Sequence, residues 1–183
     1  RRNMGNGIGG HHSAHMASDD WITPREIIAA LGPFDLDPCA SATQPWPTAE
    51  HMLTVKDNGL LHIWSGRVWL NPPYGLEAAQ WLQRLADHGN GIALIFARVE
   101  TDMFFRWVWE RACGLLFIRG RLYFHRPDGT RAPYNSGGPS VLIAYGHQNV
   151  ERLAVCGIGG QLVRLPNHRF HLTRRSSPRR RLD

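Results

Sequence analysis

The stretch "GRVWLNPPYGLEAAQWLQRLADHGNGIALIF" at residues 66–96 decides the fold. It opens on an apolar run, Val68-Trp69-Leu70, that reads as a buried strand ending at Asn71. Pro72 and Pro73 donate no backbone N–H and have a fixed φ, so no strand continues through them. Residues 76–89 then read as an amphipathic helix, with Ala78, Leu82 and Leu85 on one face and Gly89 as its stop. "GIALIFARV" at residues 91–99 follows as a second buried strand. Strands alternating with helices of this length predict a mainly parallel sheet wrapped on both faces.

The flanking sequence fits the same plan. Residues 18–32 predict a short helix, with Pro24 in the first turn, Glu26 early and Gly32 as the stop. "FDLDPC" at residues 34–39 alternates and ends on proline as a strand does, and residues 51–54 read as another short strand. Residues 101–114 predict a helix capped by Thr101 or Asp102. Residues 115–120 and 121–125 read as strands, residues 126–139 as a turn-rich excursion, and residues 140–146 as an antiparallel closing strand. The expected class is therefore α/β, a mainly parallel sheet with helices on both faces. In such sheets ligands bind beyond the carboxyl ends of the strands. Asp37 and Asn71 both stand at such ends.

At 183 residues, 43% of them hydrophobic, the chain suits one domain with its own core. Three parts are expected: a flexible Gly/His/Ser-rich arm at residues 1–18, a folded domain at 19–163 and a basic tail at 164–183. His11, His12 and His15 lack an acid or cysteine at ligand spacing, so no metal site is expected. No apolar h-region follows Arg1 and Arg2, and the longest apolar run, residues 92–96, falls far short of the roughly 18 residues of a membrane span. Cys39, Cys113 and Cys156 are odd in number and widely spaced, which reads as a reduced, cytoplasmic protein. Residues 164–183 hold seven arginines and one acid, so the tail carries the whole net charge of +6. Arg174, Arg175, Arg179, Arg180 and Arg181 suit a polyanion bound with steep salt dependence, or equally a solvated end.

The Asn71-Pro72-Pro73-Tyr74 run has a specific chemical use. An exocyclic amine on a nucleobase is a poor nucleophile because its lone pair is delocalised into the ring. Two acceptors holding its hydrogens draw the nitrogen toward tetrahedral geometry and free that pair. The Asn71 side-chain oxygen and the Pro72 carbonyl can be those acceptors, preorganised by the proline pair. Tyr74 offers a flat face on which a base can stack. The same four residues also make an ordinary exit from a sheet.

Here the chain resembles a known family. Asn71-Pro72-Pro73-Tyr74 is similar to the [DNS]PP[YFW] signature of amino-group methyltransferases that use S-adenosylmethionine. "DDWITPREII", "LGPFDLDPCAS", "DNGL", "WSGRVWLNPPYG", "ARVET", "IRGRLYF" and "APYNS", in that order over residues 19–146, resemble the phage-type DNA N6-adenine methyltransferases. The resemblance implies a Rossmann-like class I methyltransferase fold, S-adenosylmethionine as methyl donor, and double-stranded DNA whose target adenine is flipped out of the stack. It also implies a bacterial or phage-infected cell as the setting. Asn71, Pro72 and Tyr74 carry over as the base-holding catalytic set, with Pro73 shaping the loop.

For the donor, the resemblance implies Asp37 at its ammonium group, Asp35 beside it or else facing solvent, and the turn Pro38, Cys39 and Ala40 close to it. Thr23 is a candidate for the donor's carboxylate, or else a plain helix cap. Asp57 is a candidate for the donor's adenine amine, or else a turn residue. "FDLDPCAS" contains no glycine, so a Gly-x-Gly loop is not expected, and Glu50 is the nearest acid for a ribose. Arg98, Arg119, Arg121 and Phe124 are implied nucleic-acid contacts, Phe124 having core packing as its alternative. Val99 stands where the family pattern has threonine. Base-sequence reading would fall to residues 126–138, the arm and the tail. Two alternatives stay open: methylation of another nitrogen (cytosine N4, RNA adenine, protein glutamine), or an inactive DNA-binding relative.

Overall fold

A computed structural model of the chain describes residues 21–75 and 77–166. The expected arm, its three histidines and the arginines at 174–181 lie outside the described residues. The strands are β1 (Leu36–Asp37), β2 (His51–Met52), β3 (Val68–Leu70), β4 (Gly91–Phe96), β5 (Gly114–Ile118), β6 (Ser140–Tyr145) and β7 (Gly160–Arg164). They form one sheet in the order β2-β1-β3-β4-β6-β5-β7. β1 pairs in parallel with β2 and β3, and β3 with β4. β6 runs antiparallel between β4 and β5, and β7 runs antiparallel along the outer side of β5. The sheet is thus parallel through its first four strands and carries a second reversed strand beyond the expected closing one. β7 hid from pattern reading because Gly160, Gln161 and Arg164 are exposed. It also takes Arg164 out of the expected tail: that guanidinium pairs with Glu151.

Alternation along the strands divides the core in two. Val68, Leu70, Ala93, Ile95, Val141 and Ile143 face one side, against helix α2 (Ala78–His88) and the short helix α3 (Asp102–Phe104). Trp69, Ile92, Leu94, Leu142 and Ala144 face the other, against α1 (Arg25–Leu31) and α4 (His147–Val155). Trp69 is fully buried and its ring meets Phe34 at 5.4 Å. Strands buried on both faces explain the unbroken apolar runs of the central sequence.

Beyond α4 and β7, which sequence pattern did not predict, three elements differ from expectation. Residues 121–125 form no strand, because their backbone pairs with the excursion instead of the sheet: Ala132 N–H donates to Phe124 and Ser136 N–H to Leu122. The helix expected over residues 101–114 is α-helical only at Asp102–Phe104, where the Thr101 hydroxyl accepts from Phe104 N–H, and then widens to a π-turn at Phe105–Trp109. Its Phe, Trp and Val side chains are weak helix formers whose packing prevails over regular geometry. α1 starts only at Arg25, with Pro24 as its N-cap. A residue before proline is pushed out of the helical region, and Ile22 exchanges backbone hydrogen bonds with His125. α2 stops as expected at Gly89, whose φ of 76° suits glycine.

Candidate active site

The order in which strands are added to the sheet reverses between the parallel neighbours β1 and β3. From β1 the chain proceeds outward to β2, and from β3 it proceeds through α2 to β4 on the other side. A crevice outside the carboxyl ends of two such strands is where open α/β sheets bind ligands. A cleft of about 610 Å³ lies there, bounded by the segments that follow β1, β2 and β3 and by the start of α2.

Asp37 ends β1 and lines this cleft, only 3% exposed. Its carboxylate accepts from the Thr48 hydroxyl and from Cys39 N–H. Burial pushes its pKa up to about 6, against those two hydrogen bonds, which lower it. The acid is therefore ionised at neutral pH and held in a dry wall, an arrangement suited to a cation. Pro38, Cys39 and Ala40 line the same wall. Cys39 donates its thiol hydrogen to the Asn71 carbonyl, and burial pushes that thiol well above its usual pKa. Gly59, on the opposite loop, packs so close to the Pro38 carbonyl that a Cβ would sit 1.9 Å from its oxygen.

Asn71 stands one residue beyond β3. Its amide nitrogen donates to the Trp21 carbonyl at 3.2 Å and to the Thr23 hydroxyl at 3.3 Å. A carbonyl oxygen only accepts, so the carboxamide has one admissible orientation. Its oxygen, Oδ1, is buried and has no hydrogen-bond partner among the described residues. A buried acceptor left unpaired costs roughly 1–3 kcal/mol, which a ligand N–H would relieve. The Tyr74 ring, 42% exposed, stacks on Phe96 at the end of β4, with centroids 4.7 Å apart and planes at 13°. One face is thereby backed, leaving the other for a planar ligand.

The other expected site residues divide. Thr23 lines the cleft but caps no helix, since its hydroxyl is turned to Asn71. Asp35 is outside the cleft lining; its carboxylate accepts from Arg67 N–H at the opposite end of β3. Asp57 is outside it too, closing a turn onto the Thr54 N–H and hydroxyl, which hold its pKa below the usual range. Glu50 is exposed and lines nothing there. Phe124 is 3% exposed and belongs to the core, edge-on to Trp21. Arg98, Arg119 and Arg121 lie just past β4 and β5, at least partly open to solvent, and form no ion pair among the described residues.

Sequence reading missed Thr48, Gln44, Phe96 and Trp81. The first two lie in a loop without periodicity. Phe96 and Trp81 sit in apolar patterns that read simply as core. Gln44 lines the cleft with its buried Nε2 unpartnered.

A family model described as DNA N-6-adenine-methyltransferase (Dam) matches residues 10–155 of this chain. No curated protein and no solved structure matches it.

Proposed function

The chain belongs to the DNA N-6-adenine-methyltransferase family, and on that premise we propose that it transfers a methyl group from S-adenosylmethionine to N6 of adenine in double-stranded DNA. The observation that carries the reading is the unpaired, buried oxygen of Asn71, a residue that lines the cleft and whose amide nitrogen is held from behind. An adenine amino group supplies the N–H that this oxygen lacks.

S-adenosylmethionine, when bound, supplies an electrophilic methyl group on a sulfonium sulfur. The cleft suits such a molecule: its volume lies within the range of roughly 300–1,000 Å³ usual for small-molecule sites, and it has a buried carboxylate for a cation. Asp37 would hold the ammonium group, with Pro38, Cys39 and Ala40 lining the wall beside it. The topology, parallel strands on each side of a switch point followed by a reversed strand, supports a Rossmann-like methyltransferase fold.

Asn71 Oδ1 accepts one N6 hydrogen, and the Pro72 carbonyl the other. Together they localise the lone pair on N6, which bonds the methyl carbon as that carbon's bond to sulfur breaks. The electron pair of that bond stays on sulfur, and N6 then loses one proton to solvent. The preorganised acceptors favour this transition state over simple binding. Pro73 keeps the turn rigid. Tyr74 presents its open face to the base, which must leave the helical stack to enter the cleft. Arg98, Arg119 and Arg121 stand on the same edge of the sheet as the cleft mouth and would meet phosphates, which orient DNA without reading its sequence.

The test is incubation with labelled S-adenosylmethionine and duplex DNA, followed by digestion to nucleosides. Label in N6-methyladenine is the expected result. Label in N4-methylcytosine, or only in RNA or protein offered in parallel, would replace the substrate; donor binding without any transfer would favour an inactive DNA-binding relative.

A further inference from the structure

Methyl transfer by this route needs the Asn71 carboxamide to be held still, and the structure identifies what holds it. Residues 21–23 form a short strap beside the cleft: Trp21 and Thr23 line it, and Ile22 makes an antiparallel bridge to His125. The strap is anchored independently of Asn71 at three points. Ile22 and His125 exchange backbone hydrogen bonds at 3.0 and 2.9 Å. The Trp46 indole N–H donates to the Thr23 carbonyl at 3.1 Å. The Trp21 ring packs edge-on to Phe124, 6.3 Å between centroids. Both acceptors for the Asn71 amide nitrogen come from this strap: the Trp21 carbonyl and the Thr23 hydroxyl. Thr23 is 2% exposed, so water does not compete for that hydroxyl.

We propose that Thr23 is a positioning residue for Asn71: its hydroxyl oxygen takes one amide hydrogen, Trp21 takes the other, and the pair aims Oδ1 at the substrate amine. The inference rests on the proposed role of Asn71 and extends it to a side chain 48 positions away in sequence. It differs from the expectation that Thr23 binds the donor's carboxylate. A ligand of the donor affects donor affinity, whereas a positioning residue affects the transfer step. With the hydroxyl gone, Asn71 keeps one anchor and can rotate about it, so fewer complexes have the oxygen in line.

Thr23→Val is nearly isosteric and removes only the hydrogen-bonding group. Thr23→Ser keeps the hydroxyl. Single-turnover methyl transfer at saturating donor and DNA is expected to slow roughly ten-fold in Thr23→Val, the loss that corresponds to one buried hydrogen bond. Donor Kd is expected to stay within about two-fold, and Thr23→Ser to recover most of the rate. In an Asn71→Ala background, Thr23→Val should cost nothing further, because the group it positions is absent. A loss confined to donor affinity and abolished at saturation would overturn the proposal, as would full additivity with Asn71→Ala.

A second readout does not depend on turnover. The Asn71 side-chain amide resonances, assigned by their disappearance in Asn71→Ala, are expected to shift in Thr23→Val and to hold near the parent positions in Thr23→Ser. Unmoved resonances in Thr23→Val would overturn the positioning role even in an active enzyme. Absence of methyl transfer by the parent protein would instead sink the reading of the cleft, and the resonances would still decide whether Thr23 orients Asn71.

Discussion

Among single residues, chemistry was legible where the chain spells it locally. Asn-Pro-Pro-Tyr specifies a rigid acceptor and a ring from its own four residues. What the sequence could not show is that the Asn71 oxygen is left unpaired, because its partners Trp21 and Thr23 lie 50 and 48 positions away. Asp35 and Asp37 illustrate the same limit. They are two residues apart in an extended segment, yet one ends in the cleft and the other bonds to Arg67. Asp37 leads to a pH prediction. Its pKa of about 6 means that the carboxylate available to a cation is lost as pH falls through that value. Donor affinity should therefore be level near pH 7, where the carboxylate is ionised and the donor's amine still protonated, and weaken progressively below about pH 6. Asp37→Asn should bind the donor weakly at every pH and lose that dependence. A parent profile that is flat down to about pH 5 would contradict the role. The linkage to folding runs the opposite way: a carboxyl whose pKa is raised on folding makes stability fall as pH rises from about 4 to 6. Calorimetry over that range separates the two effects.

Among the elements, the central strands and α2 were legible because burial on two faces imposes strong patterns. α4 and β7 were not, since many of their residues face solvent and glycines at 157, 159 and 160 interrupt the apolar period. Residues 121–125 have strand composition, yet their backbone hydrogen bonds go to their own excursion and to Ile22, a choice no local pattern records. The loop after β2 shows how an element can depend on one missing atom. Gly59 leaves room for the Pro38 carbonyl, and the two backbones together shape the cleft wall. Adding a methyl there forces the backbones apart. Gly59→Ala is expected to cost about 1–3 kcal/mol, which lowers Tm by roughly 5 °C in a protein of this size. It should also weaken donor binding more than DNA binding. An unchanged Tm, measured by scanning calorimetry, would show that the loop accommodates the methyl without moving.

Across the whole molecule, the carboxyl edge of the sheet collects the parts that the proposed function calls on. Asp37, Asn71 and Tyr74 lie there, and Arg98, Arg119 and Arg121 follow the ends of β4 and β5 on the same edge. The family assignment covers residues 10–155, so the arginines at 174–181 stand outside both the matched region and the described residues. Charge alone argues for their role. Truncation after residue 173 should weaken DNA binding across sequences and reduce the slope of log affinity against log salt by about 0.9 for each phosphate that the tail no longer neutralises. Filter binding at several salt concentrations measures both, and identical slopes would remove the tail from the DNA interface. Because phosphate contacts position DNA and base contacts specify it, the truncation should leave the preferred methylation site unchanged.

The central claim is that the Asn71 oxygen takes a hydrogen of the amine as it is methylated. It is tested most directly by the single-turnover transfer rate of Asn71→Ala beside the parent, at saturating S-adenosylmethionine and DNA. Loss of about 10²–10³-fold in that rate, with donor binding intact, is the predicted result, in keeping with removal of one preorganised electrostatic partner from a transition state. A rate within a few-fold of the parent would contradict the account and leave the unpaired oxygen without a function.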